Sequence, residues 1–224
     1  MNVVVQILIG YFLADFIGGI LHWFEDTYLP YNTTIPILSY IAKDNEAHHY
    51  FTRAITAYSI IESMILTLPI AIIIISCVYS MNPKIFMKYI YLWVTFFFFG
   101  GMSNNMHKLS HMRDCEKSAF IIQLQRLGVL CSSDEHREHH VTGRNKYCVN
   151  TNYLNWVLDN IGFWRGIEYG IEYFLNVKPH FTKYDDFTDV HLRFHMMNDF
   201  ECPVKPSKAD VAVMKEFLKY KYTK

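Results

Sequence analysis

The stretch DEHREHHV at residues 134–141 decides how the rest of the chain is interpreted, because it holds His136, His139 and His140. Histidines spaced three and four residues apart share one face of a helix, so their rings can converge on one point. Neutral imidazole is a common ligand of iron, copper, zinc and nickel. The alternative is a solvated, charged helix face that happens to contain histidines, and the triplet alone leaves both interpretations open.

Composition narrows the classes of function. The chain has 224 residues, of which 51% are hydrophobic, and its 21 basic and 21 acidic side chains give a formal net charge of zero. This balance gives no reason to expect nucleic acid as a partner, because phosphate binding needs an excess of Lys and Arg. Five scattered cysteines without a CxxC pair indicate a reducing environment without a disulfide framework, and a four-cysteine zinc site is not expected.

Long apolar runs predict an all-α integral membrane protein with about three transmembrane helices and a cytosolic, histidine-rich helical head. The first run, residues 3–21, would be about 28 Å long as a helix, which is enough to cross a bilayer core. Further runs cover 57–79, where Pro69 is expected to introduce a kink, and 85–102. Asp15 inside the first run is expected to face other helices or a polar cavity, because a carboxylate in lipid is costly.

The remaining segments are predicted to be shorter elements outside the bilayer. They are an interfacial loop over 27–42, an amphipathic stretch over 118–130, short helices over 147–174 and an amphipathic helix over 210–220. We divide the chain into a transmembrane region with the first histidine motifs, a cytosolic catalytic head and a polar C-terminal tail, at residues 1–112, 113–178 and 179–224.

The order of spans and histidines predicts that the histidines meet. His22 follows the first span, His48 and His49 precede the second, and His107 and His111 follow the third. With three spans, these positions and the triplet at 136–140 fall on one side of the membrane. The positive-inside rule places that side in the cytosol, because basic residues cluster there near the span ends: Lys43, Arg53, Lys108, Arg113 and Lys117.

Together these histidines form the predicted metal site. Eight imidazoles suffice for two metals with open coordination positions, which catalytic metals keep. Asp26 follows His22 by four residues and is a candidate catalytic residue that accepts a hydrogen bond and fixes a ligand's tautomer; the alternative is a helix-end carboxylate in water. Asn45 and Asn105 either bond to ligands or cap helices. The predicted ligands are His22, His48, His49, His107, His111, His136, His139 and His140.

Two histidine pairs have a spacing of four residues, one inside the predicted metal site and one outside it. The spacing from His107 to His111 is that of a zinc protease, but the glutamate base of such an enzyme is missing, which argues against peptide hydrolysis. His191 and His195 have the same spacing, but they lie in the polar tail and are predicted to be surface residues.

The same residues resemble the Kua-type lipid desaturases, a family that includes plasmanylethanolamine desaturases, a carotenogenesis-linked bacterial protein and a plastid palmitate desaturase. The resemblance covers roughly residues 10–175. Glu135 and Arg144 stand where relatives carry additional histidines, and this departure bears on substrate choice. The matching motifs are HW at 22–23 with DT at 26–27, HH at 48–49, NMHKLSH at 105–111, the HxxHH run at 136–140 and the segment 155–165.

The resemblance implies a di-iron, oxygen-dependent desaturase of membrane phospholipids at the endoplasmic reticulum, with electrons from cytochrome b5 or a similar donor. For the animal members it implies formation of the vinyl ether bond of plasmalogens from plasmanylethanolamine. Three alternatives stay open: a desaturase of an ester-linked fatty acyl chain, a hydroxylase of such a chain, and a metal-binding membrane scaffold without catalysis.

Overall fold

The computed structural model describes residues 1–180 and 205–223, and all the regular elements in those ranges are helices. The predicted surface residues His191 and His195 lie outside the described residues. Short 3-10 helices cover Thr52–Ala57 and Asp114–Glu116. The α-helices are α1 Val3–Tyr28, α2 Pro36–Tyr50, α3 Ile60–Met64, α4 Thr67–Met81, α5 Pro83–Lys88, α6 Ile90–Gly101, α7 Ser103–His111, α8 Ala119–Arg126, α9 Ser133–Thr142, α10 Asn152–Asn160, α11 Phe163–Leu175 and α12 Lys208–Thr223.

Helix α1 is longer than the apolar run from which it was predicted. It begins at the cap residue Asn2, whose side chain accepts a hydrogen bond from the Val4 amide at 2.9 Å. It continues past the end of the run for another two turns and stops only at Leu29, which has an extended backbone and precedes a proline. His22 and Asp26 therefore stand one turn apart on the same continuous helix.

Helices α1, α6 and α4 pack into a bundle whose chain directions bring the histidine-bearing ends together. Gly10 lies so close to the Leu92 carbonyl that a Cβ would clash with it, and a Cβ on Gly18 would lie 2.9 Å from Ser103 Oγ. Ser103 lies just beyond the end of α6, so these two contacts show that α1 and α6 run parallel. Thr67, at the start of α4, donates a hydrogen bond to the carbonyl at the end of α6 at 2.7 Å, so α4 runs the opposite way.

Among the described helices, one is long and apolar enough to cross a membrane by length and composition, namely α1. Helices α4 and α6 are apolar but shorter, with 15 and 12 residues. A helix of 15 residues covers about 22 Å, which is less than the roughly 30 Å of a bilayer core. The three-span topology and the cytosolic orientation therefore stay predictions.

The structure corrects several predicted boundaries. The predicted second span is divided into α3 and α4, and the third into α5 and α6. Pro69 lies in the first turn of α4, where its missing N–H removes no helical hydrogen bond, so it follows a break instead of kinking a helix. The predicted loop over 27–42 is wrong at both ends, because α1 continues through Tyr28 and Pro36 occupies the first position of α2, where proline is favoured.

The segment after α9 is joined to α1 through buried polar groups. Asp15 is fully buried and accepts hydrogen bonds from the amides of Asn150 at 2.7 Å and Thr151 at 3.1 Å. This agrees with the expectation that the carboxylate faces protein, although its partners are backbone amides of a loop. Four residues further on, Gly19 leaves room for Cys148, whose Sγ would lie 2.7 Å from a Cβ at that position.

Candidate metal centre

Eight histidines and one aspartate are buried together at the end of the bundle and form two adjoining groups. The five-histidine group and the mixed group, which contains the aspartate, are each compact, with candidate ligand atoms within 4.8 Å of one another. Between the groups, the ring centroids of His22 and His107 lie 5.1 Å apart, and those of His139 and His140 lie 5.4 Å apart. The five-histidine group is His48, His107, His111, His136 and His140, and the mixed group is His22, Asp26, His49 and His139.

Helical geometry explains how sequence neighbours enter different groups. Successive residues of an α-helix are about 100° apart, so His48 and His49 of α2 point to different sides of the helix. The same holds for His139 and His140 of α9. Residues four apart share a face, which sends both His107 and His111 of α7 into the five-histidine group.

Short contacts between nitrogen atoms define the five-histidine group. Nε2 of His107 lies 2.7 Å from that of His136, and the further contacts are His111 to His107 at 3.1 Å and His140 to His136 at 3.0 Å. An imidazole nitrogen carries either one hydrogen or one lone pair. Nε2 of His107 and Nε2 of His136 each lie within hydrogen-bonding distance of two other ring nitrogens, but each can form a hydrogen bond with only one of them. Hydrogen bonding therefore satisfies this arrangement poorly.

A shared cation satisfies the same arrangement. If two nitrogens each bind the same ion at about 2.1 Å and the nitrogen–metal–nitrogen angle is about 90°, the two nitrogens lie about 3.0 Å apart. The observed separations match this value. His48 adds a fifth ring to the group, and neither of its buried ring nitrogens has a hydrogen-bond partner among the described residues. The residues of this group thus fit a metal ion.

Burial keeps the five-histidine group in the form that binds metals. It lowers the pKa values of all five histidines well below their ordinary range, and the neighbouring histidines lower them further. A lowered pKa favours the neutral ring, which offers a lone pair to a cation.

In the mixed group, backbone carbonyls fix two histidine tautomers. Nδ1 of His22 donates to the Tyr147 carbonyl at 3.0 Å, and Nδ1 of His139 donates to the Asn145 carbonyl at 2.6 Å. A neutral ring that donates from Nδ1 presents a lone pair at Nε2. These two Nε2 atoms face Oδ2 of Asp26 at 3.5 and 3.2 Å. Acceptors that converge in this way fit a cation between them.

Asp26 is itself held in place through its other oxygen. Oδ1 accepts a hydrogen bond from Asn45 Nδ2 at 2.8 Å and lies 2.8 Å from His49 Nε2. Burial lowers the pKa of His49, but the charge of Asp26 outweighs this effect and leaves the pKa above its ordinary value. Asp26 therefore lies among the candidate ligands, whereas the sequence suggested a position behind them.

A cavity of about 280 Å³ leads from the bundle to the histidines. One part of its wall is apolar and is formed by α1, α4 and α6. The other part carries the polar side chains Glu25, Asp44, Asn45 and Tyr58 beside apolar side chains of α2 and of the first 3-10 helix. His22, His48 and His107 line the cavity as well. The apolar lining includes Ala14, Ile17, Leu21, Ile70, Ile74 and Phe96.

The structure brings all eight sequence-predicted histidines and Asp26 together, and metal ligation by them stays a prediction. Asn45 bonds to Asp26, as one of its two interpretations expected, whereas Asn105 donates to the Ile60 carbonyl at 3.1 Å and joins α7 to α3. Sequence reasoning missed the carbonyls of Asn145 and Tyr147. No pattern could have identified them, because every residue has a backbone carbonyl.

Comparison with known proteins gives one family and several relatives. The family model described as a lipid desaturase domain matches residues 11–182. A probable fatty acid desaturase of Acanthamoeba polyphaga mimivirus is 33% identical over 81% of this chain and 88% of its own length. Plasmanylethanolamine desaturase 1 of Mus musculus is 30% identical over 79% and 68%, and plasmanylethanolamine desaturase of Myxococcus xanthus is 31% identical over 70% and 56%. No solved structure matches.

Proposed function

The chain belongs to the lipid desaturase family, and on that premise we propose that it is an oxygen-dependent desaturase that forms the vinyl ether bond of plasmalogens from plasmanylethanolamine. Family membership makes it an oxidoreductase of lipid metabolism that is associated with membranes. The substrate, two irons, dioxygen and an electron donor such as cytochrome b5 belong to the proposal, as does a location at the endoplasmic reticulum with the histidines facing the cytosol.

One observation supports this proposal above all: both buried histidine groups border a cavity whose lining is largely apolar. In the proposal the eight histidines and Asp26 hold two iron ions. When bound there, iron would supply the oxidising power with which dioxygen removes hydrogen from the alkyl chain. The carbonyls of Asn145 and Tyr147 keep two imidazole rings in the metal-binding tautomer, and Asn45 holds the carboxylate of Asp26.

The overall reaction is a two-electron oxidation of the lipid. Two hydrogens leave adjacent carbons of the alkyl chain, and a carbon–carbon double bond forms next to the ether oxygen. Dioxygen accepts these two hydrogens together with two electrons from the donor and two protons, and two water molecules result. The apolar wall of the cavity holds the chain and excludes water from the carbons that react.

The position of the polar end supports oxidation close to the headgroup. On α1, Glu25 lies three residues beyond His22, about 4.5 Å along the axis, whereas Ala14 lies eight residues, about 12 Å, in the other direction. On α2, Asn45 lies three residues from His48. A lipid whose headgroup occupies the polar end therefore places only its first few carbons beside the histidines. This favours the carbons adjacent to the linkage over the middle of the chain.

The test measures metal and product with the same protein. Purified in mild detergent, the chain should contain about two irons, and cells without their own plasmanylethanolamine desaturase should accumulate acid-labile vinyl ether lipids when they express it. His139→Ala should abolish the product, whereas His195→Ala should not, because the latter residue lies in the polar tail. Stoichiometric zinc without iron in iron-replete cells would contradict the proposal.

Lipid analysis also distinguishes the proposed ether-linked substrate from the alternative ester-linked substrate. Some relatives are named fatty acid desaturases, among them the mimivirus protein described above. This observation favours an ester-linked acyl chain as the second candidate. A new double bond in an ester-linked chain without vinyl ethers would select that candidate, and a hydroxylated chain would select the hydroxylase.

A further inference from the structure

Helix α12 covers the helix that carries His48 and His49, although it follows the residues matched by the family model. Its apolar side chains Met214 and Leu218 form a buried cluster with Ala47 and Tyr50 of α2. Leu218 is fully buried in this contact. This apolar cluster packs α12 against α2, so the position of α12 does not depend on any single charged side chain.

From the same helix, Lys215 reaches the polar end of the cavity. Its Nζ lies 2.5 Å from Oδ1 of Asp44 and 3.3 Å from the hydroxyl of Tyr58, and both of these residues line the cavity. The Tyr58 hydroxyl also donates to Asp44 at 3.0 Å. Burial lowers the pKa of Lys215, but Asp44 outweighs this effect and raises it, so the side chain is an ammonium.

The charge of Lys215 matters because it faces the carboxylate of Asp44, which lines the polar end of the cavity. A phospholipid headgroup carries an anionic phosphodiester, and two anions in a partly buried site repel each other strongly. The ammonium of Lys215 compensates the carboxylate of Asp44 and removes one source of this repulsion.

We propose that Lys215 is a positioning residue for substrate binding, which holds Asp44 and Tyr58 and neutralises the cavity's polar end so that the phosphodiester of the lipid can enter. This inference rests on the proposed function, because it needs a phospholipid substrate. It extends the substrate site beyond the family domain, to a helix that carries none of the candidate metal ligands.

The first test replaces the charge and keeps the length of the side chain. Lys215→Met should raise the apparent KM for an alkyl phospholipid in mixed micelles about tenfold, equivalent to about 1.4 kcal/mol, and leave kcat and iron content unchanged. Lys219→Met is the matched control, because Lys219 is on the same helix but its side chain is 66% exposed. An alkylacylglycerol without phosphate should bind equally well to wild type and to Lys215→Met.

The second test separates charge compensation from a purely structural role. In Lys215→Met, the further change Asp44→Asn removes the uncompensated carboxylate and should restore the apparent KM to within about twofold of wild type. If the ion pair only fastened α12, removing both partners would leave the defect in place. Failure of this rescue, or an unchanged KM in Lys215→Met, would overturn the inference. Absence of any product from wild type would instead overturn the proposed function.

Discussion

The carboxylate of Asp15 accepts a hydrogen bond from the backbone amide of Asn150 at 2.7 Å, across 135 positions of sequence. The second oxygen accepts another bond from the amide of Thr151. All three residues are fully buried. The bond joins the apolar part of α1 to the loop that follows the Tyr147 carbonyl, and that carbonyl in turn fixes the ring of His22. A residue outside both histidine groups therefore contributes to their support.

Replacing Asp15 by Ala should destabilise the protein, because two buried amides would lose their acceptor. Each unsatisfied group costs about 1–3 kcal/mol. We expect a clear drop in the thermal unfolding midpoint in mild detergent, with a smaller drop for Asp15→Asn, whose carbonyl oxygen can still accept one bond. Asp134→Ala is the control, since that side chain is 92% exposed. Equal midpoints for Asp15→Ala and the control would contradict the structural role.

The division into two histidine groups predicts that the metals can be lost separately. His111→Ala removes a candidate ligand from the five-histidine group, and Asp26→Ala removes one from the mixed group. Each variant should keep about one of about two irons, because the other group retains all its ligands. Both should lack activity. Metal analysis of the purified variants checks this, and complete retention of iron in both would argue against two separate sites.

The bond from Asn45 to Asp26 predicts a weaker effect. Removing a group that hydrogen-bonds to a metal ligand commonly lowers metal affinity about 10–100-fold, so we expect Asn45→Ala to lower the affinity for iron by a factor in this range. Competition with a chelator measures the change. Asn160→Ala is the control, because its exposed side chain bonds only to the Trp156 carbonyl among the described residues. An affinity equal to that of the control would remove Asn45 from the site.

The cavity predicts how chain length can be changed. Ala14 is 1% exposed and lines the apolar part, about 12 Å from His22 along α1. Ala14→Leu should shorten the space for the alkyl chain and shift the product toward shorter chains, which lipid analysis measures. Ala212→Leu, at an exposed position of α12, is the control. An unchanged chain-length profile would mean that the chain does not enter this part of the cavity.

Much of the site could be predicted because helical spacing is local. The pairs and the triplet of histidines lie on helices, and the order of apolar runs correctly brought them to one end of the bundle. The two groups could not be predicted, because the assignment of His48 and His49 to different groups depends on how α2 is rotated against its neighbours. Packing between distant segments determines that rotation, and no repeat in the sequence encodes it.

The less accurate predictions have a similar physical origin. Hydropathy shows how apolar a segment is but not where its hydrogen bonds break, so the divisions between α3 and α4 and between α5 and α6 were not expected. The contact between Lys215 and Asp44 joins residues 171 positions apart. Neither residue is unusual in its own segment, and the packing of α12 against α2 through Met214 and Leu218 brings them together.

The continuity of α1 gives the site a fixed register. Gly10 contacts α6 near one end of this helix, and His22 and Asp26 contribute to the mixed group near the other end. Insertion of one residue between Gly10 and His22 would rotate the two candidate ligands by about 100° and shift them by about 1.5 Å relative to α6. The number of residues between Gly10 and His22 is therefore fixed by the site. Chimeras and tag insertions that preserve every side chain but change this number would disassemble the mixed group.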